Sequence, residues 1–289
     1  PLMRVWISGA SGFTGRALVP VLRHAGHEVH CSQVDCRSAS DVAREIQDAR
    51  PQAVIHLAAI SHPQHTPVDA FYAVNVVGTD HVLAAAQALP DIQQIILASS
   101  ATVYGQAAQS HAVLTEEITP EPKGHYALSK FAMEQLVHAY PDLPILILRP
   151  FNYTGPGQTT DFLFGKVVAH VARSDPKLEL GNLALARDFS WLDDVVSVYR
   201  ACVESETPLT GICNICSGHA QLLDALVSGL LERVGQDTLL AFDAHLHRGS
   251  EVPTLRGDPT RLASLVGVTP RPLSVEMLVD MVRKAQHGA

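Results

Sequence analysis

Charge is what this sequence has little of. Only 17% of its 289 residues are Asp, Glu, Lys or Arg, against 47% hydrophobic, and the formal net charge is −8. A chain this apolar can bury an ample core and is excluded from the disordered classes. It has no run of lysine or arginine, so neither nucleic acid nor an anionic membrane is expected as the main partner. A few local cations can still hold an anionic small molecule. Missing too are any apolar stretch long enough to span a bilayer, any internal repeat and any low-complexity segment.

Cysteine is scarce, and the five present are an odd number for a disulfide framework. Cys213 and Cys216 form one CxxC in a strand-like run, with no second CxxC and no helix start behind it. They are read as core thiols rather than zinc or redox ligands. Histidine is abundant, at 15, but there is no HExxH, and His245 and His247 are too few for a metal. His62 and His65 fall in a segment read as a solvated loop, so no metal site is expected. The chain opens on a strand with no charged n-region and apolar h-region, which points to a soluble cytoplasmic protein.

What is present is a regular alternation. Strands are read at 3–8, 28–32, 53–57, 95–98 and 145–148, and helices at 13–25, 68–89 and 126–140. This order predicts an α/β fold, a doubly wound parallel sheet of the Rossmann kind covered on both faces. From residue 150 Gly and Pro become dense and the strands shorten, which predicts a smaller C-terminal α/β lobe. Residues 1–150 are assigned to the first domain and 151–289 to the lobe. Residues 191–216 return to the first domain through a helix at 195–204 and a strand at 212–215.

After the first strand comes Ser8-Gly9-Ala-Ser11-Gly12-Phe13-Thr14-Gly15, a GxxGxxG running straight into a helix. The first Gly permits the tight turn, the second lets backbone approach a pyrophosphate, and the third lets helix and strand pack closely. The helix N-terminus adds free N–H groups and a positive dipole. This predicts an NAD(P) site. An acidic residue closing the second strand would bind the adenosine ribose and favour NAD(H). Here Gln33 comes first and Asp35 only later, with Arg37 or Arg16 available as a cation. NADP(H) is therefore slightly favoured, and NAD(H) wins if Asp35 holds the ribose.

Tyr126 and Lys130 form a YxxxK, whose spacing puts phenol and ammonium on one helix face. A nearby cation lowers a tyrosine pKa from about 10 toward neutrality, as a proton-transfer catalyst needs. Upstream, Ile95–Ala98 leads into Ser99 and Ser100, so hydroxyls stand at the carboxyl end of a strand, the end that faces the cofactor crevice in a parallel sheet.

Gly9, Gly12, Gly15, Ser100, Tyr126 and Lys130, with Asn75 on the long helix, together resemble the extended short-chain dehydrogenase/reductase family, and the resemblance covers nearly the whole chain. Members of that family act mostly on nucleotide-diphosphate sugars. The resemblance implies Ser100, Tyr126 and Lys130 as the catalytic triad and Asn75 as a structural contact beside them. It also implies cofactor contacts from Gly9, Ser11, Gly12, Phe13, Thr14, Gly15, Gln33, Asp35, Cys36, Leu57, Ala58, Ala59, Asn75, Ser99, Tyr126, Lys130 and Pro150. A homodimer is implied through the two long helices, where Ala84-Ala-Ala86 would permit close packing. His125 stands where the family usually has proline, and only a local change of turn is expected from it.

Within the family, the sugar-nucleotide dehydratases carry an Asp-Glu pair after the catalytic hydroxyl. Here those positions are Ala101 and Thr102, which do no acid–base work at neutral pH. Arg149–Gln158, Leu180–Leu183, Arg187–Phe189, Cys213–Gly218 and Arg248–Gly257 resemble the GDP-mannose branch, and the compact length suits a 4-keto reductase. The implied activity is reduction of the C4 ketone of a GDP-linked 4-dehydro-6-deoxyhexose. Arg187 and Arg248 would hold the diphosphate, since guanidinium forks suit phosphate oxygens, with Asn152 donating to the same group. Glu251 would accept from guanine N–H groups, and Ser61 and Thr102 complete the substrate contacts. Phe162 and Phe164 would wall the guanine pocket or belong to the core. The rival reading is an NDP-sugar 4-epimerase with bound NAD, which the segment Ser99–Gly105 resembles. A non-catalytic dinucleotide sensor is the remote alternative, disfavoured because the tyrosine and lysine are both present.

Overall fold

A computed structural model of the chain describes residues 2–60, 66–246 and 251–288. In chain order the strands are β1 (Arg4–Ser8), β2 (Glu28–Cys31), β3 (Ala53–His56), β4 (Gln94–Ala98), β5 (Ile145–Pro150), β6 (Asn152–Thr154), β7 (Lys177–Leu180), β8 (Ala186–Trp191), β9 (Gly211–Ile215), β10 (Ala220–Leu222), β11 (Leu239–Phe242) and β12 (Thr254–Leu255). The helices are α1 (Phe13–His24), α2 (Ala39–Ala49), α3 (Val68–Tyr72), α4 (Gly78–Gln87), α5 (His125–Gln135), α6 (Leu163–Ala172), α7 (Leu192–Val203), α8 (Leu223–Val234), α9 (Thr260–Val266) and α10 (Val275–Gln286). Among the described residues, no helix is long and apolar enough to cross a membrane.

The main sheet is parallel, as the α/β alternation predicts, and its six strands run in the order β2-β1-β3-β4-β5-β9. Side chains alternate between its faces, so neighbours in one strand serve different cores. Val5 and Ile7 of β1 join Leu18 and Leu22 of α1 and Val196 and Tyr199 of α7. Trp6, between them, joins Ile46 of α2, Leu83 of α4 and Met133 of α5 on the other face. Both faces being covered explains the nearly unbroken apolar runs of β3, β4 and β5. The chain leaves β1 first to β2 and then, on the opposite side, to β3. That reversal is a topological switch point, where the carboxyl ends of the strands open a crevice for ligands.

Past β5 the chain builds smaller sheets, β10-β8-β12 with β6 beside β8, and β11-β7. These pack with α6, α8 and α10 over a separate core that includes Phe164, Phe189, Leu230 and Leu278. α7 and β9 rejoin the main sheet, where β9 pairs with β5 from Leu146↔Gly211 to Pro150↔Ile215.

Three elements differ from the sequence reading. The helix expected at 68–89 is α3 and α4 joined by a π-helical turn, Ala73–Val77, with buried Asn75 at its centre. Such single turns accommodate an extra residue and occur at functional sites. The helix expected at 126–140 gives way after Gln135 to a 3₁₀ turn, Leu136–Ala139. α2 lies in a stretch to which no element was assigned, because it buries only Val42 and Ile46.

Candidate active site

The glycine turn is shaped by backbone crowding. Gly9 has φ +69°, and a Cβ there would stand 2.7 Å from the Ala58 backbone nitrogen at the end of β3. Only glycine meets both demands. At Gly15 a Cβ would lie 2.6 Å from Ala10 Cα, so α1 presses directly on the turn. Gly12 N–H donates to Gly9 O at 3.0 Å and precedes α1, whose N-terminus has no side-chain cap. The free N–H groups there suit a diphosphate. Arg16 adds a guanidinium, donating to Ser11 O at 3.1 Å and to Gly157 O at 3.2 Å.

Of the expected cofactor residues, Gly9, Gly12, Phe13, Thr14, Gly15, Leu57, Ala59, Ser99, Tyr126, Lys130 and Pro150 line one cleft of about 480 Å³. Ser11, Gln33, Asp35, Cys36, Ala58 and Asn75 are not in its wall. Cys36 is buried with its thiol turned against Gly78, and burial pushes that thiol up in pKa. Gln33 N–H donates to Glu45 Oε1 at 3.0 Å, and Ser32 Oγ donates to Glu45 Oε2 at 2.6 Å. Asp35 and Arg37, weighed above as opposing determinants, are paired with each other: Arg37 Nε donates to both carboxylate oxygens at 3.0 Å. That pairing holds the Asp35 carboxyl below its usual range.

Tyr126 and Lys130 both face the cleft from α5. Lys130 is 4% exposed, and its Nζ donates to Ala98 O at 2.6 Å. Burial pulls the ammonium down to about 8, with the Glu134 carboxylate opposing. Tyr126 departs from expectation. Burial pushes its phenol up to about 12, and only a hydrogen bond with Ser100 works the other way. The ammonium bonds a carbonyl instead, and burial of the phenol outweighs any help to the phenolate. The Tyr126 phenol therefore keeps its proton at neutral pH. Ser100 Oγ accepts from Thr102 N–H at 3.2 Å and from Thr102 Oγ1 at 2.9 Å, so Thr102 helps hold Ser100 against Tyr126.

Behind this face lies a network the sequence reading missed. Ser99 Oγ donates to Glu134 Oε1 at 2.5 Å, and Arg149 grips the same carboxylate through Nε at 2.9 Å and Nη2 at 2.6 Å. Arg149 also lies 4.9 Å over the Tyr104 ring, whose hydroxyl donates to Asn214 Oδ1 at 2.6 Å. Two signals pointed there: Glu134 is four residues after Lys130, and Arg149 is a charge inside an apolar strand. Asn75 is buried as a clamp. Its Oδ1 accepts from Ile60 N–H at 3.0 Å and its Nδ2 donates to Ser129 Oγ at 3.0 Å.

A second cleft, of about 690 Å³, shares Ala101, Thr102, Asn152, Phe162 and Leu255 with the first. Thr102 and Asn152 thus stand at the junction. Arg187 and Glu251 line the second cleft beside Lys123, Lys166 and His245. Burial lowers the Arg187 pKa and the Glu251 charge opposes it. Phe162 walls both clefts, whereas Phe164 is core, edge-on to Phe189 at 4.9 Å. Ser61, Arg248 and the histidines at 62, 65 and 247 lie outside the described residues. His125 opens α5, and its Nδ1 is 3.0 Å from Tyr72 OH.

Comparison with known proteins fits this geometry. The model of the NAD dependent epimerase/dehydratase family matches residues 5–216. A GDP-6-deoxy-D-talose 4-dehydrogenase of Aggregatibacter actinomycetemcomitans is 31% identical across 98% of this chain and 97% of its own length. A GDP-6-deoxy-D-mannose reductase of Pseudomonas aeruginosa is 30% identical across 92% of each. Among solved structures, a putative epimerase from Burkholderia cenocepacia J2315 is 36% identical with a TM-score of 0.89, covering 99% of both chains. RMD from Pseudomonas aeruginosa, solved with NADPH, is 26% identical with a TM-score of 0.90 over 99% of this chain and 100% of that one.

Proposed function

The chain belongs to the NAD dependent epimerase/dehydratase family, and from that membership we propose that it is an NAD(P)H-dependent reductase of the C4 ketone of GDP-4-dehydro-6-deoxy-D-mannose. The product would be GDP-D-rhamnose or GDP-6-deoxy-D-talose. One observation carries the choice of reaction: Ser100, Tyr126 and Lys130 line one cleft whose described lining contains no carboxylate. That combination suits protonation of a forming alkoxide and offers no carboxylate to act as the acid or base of a dehydration. Two relatives at 30–31% identity, each matched along more than nine-tenths of its length, act, by name, on GDP-6-deoxyhexoses.

A nicotinamide dinucleotide fits the residues present, on the evidence of the glycine cradle that a Cβ would fill and the uncapped N-terminus of α1. When bound it supplies the hydride that C4 receives. Gly9, Gly12, Gly15 and Arg16 would hold its diphosphate, and Lys130 the nicotinamide ribose. The Asp35 charge is offset by Arg37, so Asp35 does not stand as a lone carboxylate against a 2′-phosphate, which supports NADP(H) over NAD(H).

Tyr126 gives its proton to the C4 oxygen as negative charge develops there. Ser100 hydrogen-bonds the same oxygen and stabilises it mainly in the transition state. Lys130, held on Ala98 O, keeps a cation beside the site that also helps Tyr126 recover a proton. Thr102 and Asn152 orient the sugar at the junction, and Arg187 with Arg248 takes the diphosphate. Val77 and Leu128, exposed apolar residues on α4's N-terminal approach and on α5, support a homodimer through these helices; Ala86, in contrast, is buried in the core of its own chain.

The test is absorbance at 340 nm with NADPH or NADH and GDP-4-dehydro-6-deoxy-mannose generated in situ by a separate dehydratase. Stoichiometric loss of reduced cofactor, abolished in Tyr126→Phe, is the expected result. The second reading, a 4-epimerase with bound NAD, is favoured by the 36% identity to the putative epimerase. No net oxidation, with NAD carried through purification and C4 epimers interconverted, would establish that reading instead.

A further inference from the structure

At the switch point lies a chain of buried polar groups that the proposed chemistry does not use. His56, the last residue of β3, is 2% exposed, and its ring bridges two hydroxyls. Nδ1 is 2.6 Å from Ser8 Oγ and Nε2 is 3.0 Å from Thr79 Oγ1. Valence fixes where the protons sit. Thr79 has one hydroxyl hydrogen and gives it to Asn75 O at 2.8 Å, so toward His56 it can only accept. Nε2 therefore carries the ring proton. Nδ1 is then an acceptor and takes the Ser8 hydrogen, while Ser8 Oγ accepts from Ala58 N–H at 3.1 Å. The ring is neutral, since burial and the nearby Lys130 charge hold it down to about 3.

Each end of this chain reaches a different part of the site. Ser8 and Ala58 border Gly9, whose turn crowds against the Ala58 backbone. Thr79 bonds the carbonyl of Asn75, whose side chain reaches Ser129 Oγ; Ser129 in turn donates to the Tyr126 carbonyl at 2.8 Å. We propose that His56 is a positioning residue whose two nitrogens, as the Nε2–H tautomer, set the glycine turn on one side and the Tyr126 helix on the other. This rests on the reading of the first cleft as a dinucleotide site with Tyr126 as proton donor.

The two nitrogens can be removed one at a time. In His56→Asn the amide oxygen can stand in for Nδ1, but nothing reaches Thr79. In His56→Gln the amide N–H can stand in for Nε2, but no acceptor faces Ser8. Dinucleotide Kd is read by quenching of intrinsic fluorescence, and kcat at saturating dinucleotide by the 340 nm assay. Loss of one buried hydrogen bond corresponds to a change on the order of tenfold. His56→Gln should raise Kd by about that factor and leave kcat near wild type. His56→Asn should lower kcat by about that factor and leave Kd near wild type. Ser8→Ala should follow the Gln variant and Thr79→Val the Asn variant, and these two carry the test if the His56 variants do not fold.

A wild-type protein that binds neither NADH nor NADPH overturns the reading of the cleft. A wild type that binds, with Kd and kcat moving together in both variants or in neither, overturns the role of His56. Opposite splits in the two variants are the result a general loss of packing does not produce.

Discussion

The two clefts are built on different plans. The wall of the first comes from short contiguous signals: a glycine turn after β1, two hydroxyls after β4, and a Tyr and Lys one helical turn apart on α5. The wall of the second gathers Gln106, Lys123, Lys166, Asn182, Arg187, Leu223 and Glu251, which share no spacing. Their chemistry differs in the same way. Among described residues the first cleft carries Arg16 and Lys130 and no carboxylate, whereas the second mixes lysine and arginine with Asp161 and Glu251. A reaction common to many substrates can be held by a few residues fixed on the main sheet. Recognition of one nucleotide sugar needs directional contacts from many sides, and the smaller sheets and their loops supply them.

The comparison breaks most visibly at Tyr126. Tyr126→Phe removes the proposed proton donor and little volume, so kcat should fall by about 10²–10⁴ while dinucleotide Kd stays within about twofold. If kcat and Kd shifted together, the first cleft would be a binding wall and not a reaction centre. Next in size is the pair beneath it. Arg149 and Glu134 are 2% and 1% exposed in their side chains, so Glu134→Ala leaves an uncompensated buried guanidinium. Urea unfolding should show a loss of about 3–5 kcal/mol. Replacing both partners together should cost less than the sum of the single changes, because neither charge is then left alone.

What the sequence disclosed follows the same division. The strand–helix alternation behind the parallel sheet, the glycine turn and the Tyr–Lys face were legible because each is carried by local period or spacing. Asn75 was named, but the π turn that holds it was not, since inserting one residue into a helix leaves no mark in composition. The direction of the Tyr126 shift was missed because it depends on burial, which chain order does not report. Glu134 and His56 went unremarked for a related reason. Each looks like an ordinary helix or strand residue until the fold brings Arg149 to one and Ser8 and Thr79 to the other.

Lys130 sharpens the contrast through pH. Its folded pKa is depressed from 10.5 to about 8 by burial, so the folded state binds fewer protons than the unfolded state between those values. Stability then rises with pH across that window: the cost of burying the ammonium is fully present below pH 8 and is relieved toward 10.5. The full difference is about 3 kcal/mol. Other groups titrate there, so the measurement is wild type against Lys130→Met by urea unfolding from pH 7 to 10. The wild type should gain on the variant as pH rises. A parallel pair of curves would mean that the ammonium is better solvated than its 4% exposure implies.

Arg187 carries the smallest effect and the cleanest separation of the clefts. Its Nη1 donates to Ala186 O at 2.8 Å, which aims a half-buried guanidinium at the second cleft while Glu251 partly offsets its charge. In the proposed role such a group would bind substrate and transition state alike, because a diphosphate far from C4 does not change charge during hydride transfer. Arg187→Met should therefore raise KM for the sugar nucleotide about 10–100-fold with kcat within about twofold. Arg187→Lys should recover only part of the loss, since an ammonium cannot form a planar fork to phosphate oxygens. Initial rates against sugar-nucleotide concentration at saturating dinucleotide give both constants. A fall in kcat equal to that in Tyr126→Phe would show that the second cleft takes part in the chemistry, and the division between reaction and recognition would fail at its most exposed point.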